Sequence, residues 1–275
     1  MSRRDALGSL FGVALGSRFE LRTLSLTAPA TYVLVHGAWH GGWCWKKVAP
    51  VLRNAGHEVY TPTLTGLGDR SHLGGPDVTL STHIEDIVKL LSYENLERVI
   101  LVGHSYAGMV ITGVAERAPE RLSHLVYLDA FVPEDGQSQV DITAPQREQR
   151  AAMEARVRDE GNGWALPSLR PGPWEPYLRE QWRITDDADV HWMLARLTPH
   201  PFATMTEPVR RVNAAAAALS RTYIRCTAVP SASFDRFAAA ARRPGSGWAY
   251  AELQSAHDAM ITAPNELSAA LMAIR

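Results

Sequence analysis

Ser105 stands in Val99-Ile-Leu-Val-Gly103-His-Ser105-Tyr-Ala-Gly108, and its neighbours suit it to nucleophilic chemistry. A serine hydroxyl attacks a carbonyl only when a base takes its proton, and that base is usually an imidazole oriented by a carboxylate. The spacing Gly103-x-Ser105-x-Ala107, with Gly108 one place further on, departs by one residue from the Gly-x-Ser-x-Gly of a strained strand-to-helix turn. Ala107 is still small enough for a helix to start close against the strand. Such a turn exposes the hydroxyl and aims it at a helix N-terminus, whose free N–H groups can hold an oxyanion. A loose Gly/Ser turn also arises by chance between a strand and a helix, so its surroundings carry the reading. Four apolar residues precede it, three of them β-branched, and a helical run from Met109 to Arg117 follows before Pro119.

Where a serine sits on such a turn, the triad runs in the order serine, acid, histidine. His257 is the last histidine of the chain and follows a strand-like run, Trp248 to Leu253, so it is the expected base. The expected oxyanion donors are the backbone N–H groups of Ala38 and Tyr106. Ala38 lies in His36-Gly-Ala-Trp-His-Gly-Gly-Trp43, a Gly-rich loop after an early strand, where backbone can approach a substrate oxygen. Gly41 and Gly42 also read as a plain turn, and Trp43 as packing.

The elements that must position these residues alternate. Strands are expected at 31–35, 57–61, 99–102, 125–128, 222–226 and 248–253, and helices at 45–54, 82–91, 109–117 and 233–242. Thr63 to Pro76 reads as a surface loop. A last helix is expected with Thr262 as N-cap and Pro264 in its first turn. This alternation predicts an α/β fold, a mostly parallel sheet with helices on both faces, from 31–132 and 218–275. From 133 to 217 the alternation stops, and that stretch holds four of the eight tryptophans, which predicts a helical cap over the sheet edge with helices near 146–159 and 188–197. Asp129 falls at the carboxyl end of the strand at 125–128, the edge where ligands bind in such sheets.

The chain's 275 residues fill one domain with an insertion, and a net charge of −1 leaves no electrostatic footprint for nucleic acid. Cys44 and Cys226 read as buried free thiols, His36 and His40 lack the setting of a zinc site, and no metal is expected. No apolar run is long enough to span a membrane. Residues 1–30, with Arg3-Arg4, a mildly apolar run and Ala28-Pro-Ala30, read either as a twin-arginine export signal or as an N-terminal extension of a cytoplasmic enzyme.

Taken together, Val35-His-Gly-Ala-Trp-His-Gly-Gly-Trp43, Gly103-His-Ser-Tyr106, Tyr127-Leu-Asp-Ala-Phe-Val-Pro133 and the late His257 resemble the α/β-hydrolases, in the branch of plant methylesterases, hydroxynitrile lyases and bacterial esterases. The resemblance covers residues 31–275. It implies Ser105 as nucleophile, His257 as base, Ala38 and Tyr106 as oxyanion donors, a cap-covered apolar pocket and no cofactor. The lyases carry Thr where this chain has Gly37 and Lys where it has Asp258, which argues for ester hydrolysis. The family's usual acid loop is here Thr227-Ala-Val-Pro-Ser-Ala-Ser-Phe234, without a carboxylate. Asp129 and Asp235 are the two substitutes, Asp129 preferred because the acid must be held at the sheet edge. The expected activity is a carboxylesterase-type serine hydrolase acting on a small to medium hydrophobic ester. A non-catalytic binder of a hydrophobic ligand and a biosynthetic lyase or cyclase are the alternatives.

Overall fold

A computed structural model describes residues 29–168 and 171–274; the export-signal expectation for 1–30 lies almost wholly outside the described residues. Eight strands form among them. β5 (Ala165–Leu166) and β6 (His200–Pro201) pair as a short antiparallel ribbon. β1 (Thr31–Val35), β2 (Glu58–Tyr60), β3 (Val99–His104), β4 (Leu122–Leu128), β7 (Ser220–Cys226) and β8 (Trp248–Leu253) make one parallel sheet in the order β2-β1-β3-β4-β7-β8.

Side chains alternate across a strand, so a sheet covered on both faces needs apolar residues in both registers. On one face Val33, Val35, Leu101 and Tyr127 pack against α2 (Leu80–Tyr93) and α3 (Ala107–Arg117), which follow α1 (Ala49–Asn54). On the other, Tyr32, Leu34, Val102 and Leu128 join α1 in a second core. Between β4 and β7 run α4 (Gln139–Thr143), α5 (Arg147–Glu160), α6 (Trp174–Glu180), α7 (Asp187–Leu194), α8 (Ala203–Thr206) and α9 (Ala214–Ala218). The chain closes with α10 (Ala232–Arg242), α11 (Ala259–Thr262) and α12 (Pro264–Met272).

Three local expectations are corrected. The helix expected over 45–54 is a 3-10 turn, Gly42–Lys47, followed by α1, because Pro50 has no N–H to continue a helix through that point. Thr262 does not cap the final helix: it ends α11, its hydroxyl bonds the Asp258 carbonyl, and Ala263 takes the capping position. The loop expected on the surface at 63–76 carries Leu64 and Leu67 fully buried and winds a 3-10 turn, Gly68–Leu73.

The sheet order sets the site. From β1 the chain steps outward to β2 and then returns to β3 on β1's other side, so the connections after β1 and β3 diverge. Ligands bind in the crevice that such a divergence opens at the carboxyl ends of the strands. The Gly37 loop and the Ser105 turn both lie there. Gly108 fixes how closely α3 seats: a Cβ at that position would fall 1.9 Å from the Phe131 carbonyl oxygen. Gly108→Ala is therefore expected to lower stability by about 1–3 kcal/mol through overpacking against backbone that cannot yield, read as a lower urea midpoint.

Candidate active site

Ser105 follows the last residue of β3 with φ 54°, a left-handed conformation that costs a non-glycine residue about 1–2 kcal/mol. Neighbouring backbone holds it. Its N–H donates to Leu128 O at 3.2 Å, and its carbonyl accepts from Phe131 N and Gly108 N at 3.1 Å each. Gly103 is required because a Cβ there would lie 2.7 Å from Ala107 O, and α3 begins at Ala107, two residues earlier than the sequence pattern predicts. Asp129, just past β4, has φ 42°, and Trp39, in the loop after β1, has φ 64°. Backbone strain thus gathers at the carboxyl ends of three adjacent strands.

His257 follows β8. Its Nδ1 meets Asp129 Oδ2 at 2.6 Å, and its carbonyl accepts from His104 Nε2 at 3.0 Å, which holds it beside the residue preceding Ser105. Its ring stacks on Phe234, centroids 4.9 Å apart and planes 16° from parallel, and lies 5.9 Å from the Trp182 ring. Burial works against a charge on His257, but the Asp129 hydrogen bond and the Asp129 and Asp258 charges outweigh it, and its pKa is raised.

Asp129 is buried, and its second oxygen accepts from Arg225 Nη1 at 2.9 Å and from Cys226 N–H at 3.2 Å. The structure thus brings His257 and Asp129 together. Asp235 instead lies in the first turn of α10, half-exposed, 2.9 Å from Arg225. Asp258 is buried on the far side, facing His40 Nε2 at 3.7 Å and His104 Nε2 at 3.6 Å.

Tyr106 follows Ser105 at the start of α3, and Ala38 follows Gly37, whose backbone lies against Ser105. Among the described residues their N–H groups have no acceptor. Gly37 sits so close that a Cβ there would lie 2.9 Å from His104 Nδ1 and 3.1 Å from Ser105 Cβ, which leaves no room for the lyases' threonine. A ring of buried histidines fixes these loops. His36 Nδ1 donates to Gly37 O at 2.8 Å while Nε2 accepts from Leu64 N–H at 3.0 Å, and the carbonyl so held belongs to the peptide that carries the Ala38 N–H. His83 gives its Nε2 proton to Thr65 O and accepts the Tyr106 hydroxyl at Nδ1, both at 2.8 Å. His200 accepts the Trp39 N–H at 3.4 Å.

Two residues escaped the sequence reading. Arg225 is a lone charge between Ile224 and Cys226 in a strand buried on both faces, and such a charge needs a carboxylate partner. His83 interrupts the apolar stripe of α2. Two surface clefts, about 790 Å³ beside Trp43 and Arg53 and about 860 Å³ beside Arg70 and Tyr93, are lined by none of Ser105, Asp129 and His257. Cys44 and Cys226 are buried free thiols, and no helix among the described residues is long and apolar enough to cross a membrane.

Comparison with known proteins agrees with this architecture. The alpha/beta hydrolase family pattern matches residues 32–270. A carbendazim hydrolyzing esterase of Nocardioides sp. (strain SG-4G) is 40% identical over 248 residues, 89% of this chain and 99% of that protein. Methylesterase 1 of Arabidopsis thaliana is 42% identical over 105 residues, 38% of this chain and 40% of that protein. Among solved structures, an extracellular α/β-hydrolase from a Paenibacillus species superposes with a TM-score of 0.71 at 24% identity, covering 89% of this chain and 98% of that one. The chain belongs to the α/β-hydrolase family, and within it is an ester hydrolase.

Proposed function

We propose that Ser105, His257 and Asp129 form the triad of this esterase, with the Ala38 and Tyr106 N–H groups as its oxyanion hole. The observation that carries the reading is the 2.6 Å contact of His257 Nδ1 with Asp129, which leaves Nε2 for proton transfer on a residue whose carbonyl is bonded by His104, the neighbour of Ser105. Ser105 Oγ bonds to the ester carbon as its proton passes to His257 Nε2; the alcohol then leaves with that proton. Water, deprotonated by the same nitrogen, attacks the acyl-enzyme, and the acid leaves as Ser105 regains its proton. Two N–H groups opposite the attack stabilise the oxyanion in both steps.

The substrate is a small to medium ester whose acyl part is aromatic or otherwise apolar. The aromatic rings of Phe234 and Trp182 against His257 support this, as do relatives named for methyl esters and for carbendazim. The test compares p-nitrophenyl acetate, methyl esters of aromatic acids and carbendazim, with a fluorophosphonate used to label the nucleophile. Turnover of at least one, and a single adduct mapped to Ser105 by peptide mass spectrometry, are expected. A label elsewhere overturns the assignment.

A base must be neutral to accept a proton, so kcat/KM rises with pH through the His257 pKa. Because that pKa is raised above the ordinary 6.5, the acid limb of the profile is expected above pH 6.5.

A further inference from the structure

Loop 227–231, where the resemblance to the family implies an acid, has no carboxylate, yet it is tied into the same cluster. Arg225, 3% exposed, sits on β7 beside Asp129 and reaches in two directions. Its Nη1 meets Asp129 Oδ1 at 2.9 Å and also the Cys226 carbonyl, its Nη2 meets Val229 O at 3.0 Å, and its Nε meets Asp235 Oδ1 at 2.9 Å. Asp235 in turn accepts from Ser231 N–H at 3.2 Å. Loop 227–231 and the first turn of α10 therefore close around the guanidinium. Phe234, next to Asp235, stacks on His257.

We propose that Arg225 is a positioning residue for the reaction, anchored by Asp235 and Val229 O, and that it orients Asp129 so that one carboxylate oxygen is committed to the guanidinium and the Cys226 N–H while the other is left for His257. The inference rests on the triad proposed above. A carboxylate has two oxygens and a freely rotating plane. Filling Oδ1 with two donors selects the rotamer in which Oδ2 faces the imidazole. The planar fork of arginine spans Asp129 and Asp235 at once, which a lysine ammonium cannot do with the same geometry. The loop carries no carboxylate itself but braces the residue that aims Asp129.

The groups facing His257 are Asp129 from β4, Arg225 from β7, His104 from β3 and its own neighbour Asp258. The two charges on the Asp129 side oppose each other, since the carboxylate favours an imidazolium and the guanidinium disfavours it. This opposition gives a readout that general damage would not produce. Arg225→Gln is expected to lower kcat by about 10- to 100-fold with KM changed less than about threefold, and to move the acid limb of kcat/KM to higher pH. Asp129→Asn moves the same limb to lower pH. Arg225→Lys recovers part of kcat and returns the limb toward its original position. Because removing Arg225 leaves Asp129 buried and unpaired, Asp235→Asn is the second variant. Its side chain is half-exposed, so folding is retained, and a three- to tenfold loss of kcat at constant KM is expected. Arg225→Gln and Asp235→Asn with unchanged kcat and limb overturn the inference while a dead Asp129→Asn leaves the triad standing. An active Asp129→Asn overturns the triad itself.

Discussion

Ser105→Ala is expected to reduce kcat for ester hydrolysis by about 10⁶-fold and Asp129→Asn by about 10⁴-fold, with KM within a few-fold of the native chain in both. The two losses have different origins. Alanine at 105 removes the atom that bonds to the acyl carbon, leaving only what binding and the oxyanion N–H groups contribute over water. Asparagine at 129 keeps the shape but not the charge. Its amide can present N–H to His257 Nδ1, which forces the proton to Nε2, the nitrogen that must accept from Ser105. The burial that places Asp129 out of water makes the effect large, because an imidazolium forming in the transition state then has lost the carboxylate hydrogen-bonded to it. Steady-state kinetics on a p-nitrophenyl ester checks both. An Asp129→Asn variant retaining more than a tenth of native kcat would reject Asp129 as the acid, and the same retention in Ser105→Ala would reject the serine mechanism.

The second large effect is on stability in acid. His36, His83, His104 and His200 are all buried, and burial, the leading cause in each, holds them neutral. His36 is lowered to about 3 and His83 to about 4, and His104 and His200 lie well below the ordinary 6.5. Burial prevails although Asp69 lies near His36 and Asp86 near His83. An unfolded chain takes up these protons below about pH 6.5 and the folded chain does not. The unfolded state therefore binds more protons there, and stability falls as pH falls, until the folded pKa values are reached. Each group contributes about 1.4 kcal/mol per pH unit, so together they give a slope of about 5 kcal/mol per unit. Against a total of about 5–15 kcal/mol, cooperative unfolding is expected between about pH 4 and 6. His257 acts in the opposite sense: its raised pKa adds stability below 6.5 that is lost as pH rises through the folded value, but it is one group against these four and His124, which burial also lowers. Urea unfolding at a series of pH values measures the slope, and a flat free energy between pH 7 and 5 would refute it.

The parts of the fold carried by local pattern were readable beforehand. The run Val99 to Val102 could be little but a buried strand, and it forms β3 with every residue covered. What was not readable depends on contacts between distant segments. Leu64 and Leu67 look like loop residues because nothing near them in sequence shows what covers them. Arg225 is the clearest case: its setting among apolar neighbours signals a buried charge, but its two carboxylate partners are 96 and 10 residues away, and only the sheet order reveals the first.

β8 pairs with β7 alone and is the least buried strand of the sheet's His257 side, with only Leu253 buried. Asp129 and His257 are 128 residues apart and meet only when this strand is docked. During synthesis or refolding, catalysis therefore cannot return before this strand has docked. Loosening of this rim strand alone would silence turnover while the interior strands keep their cores, a loss that reverses when the strand docks again.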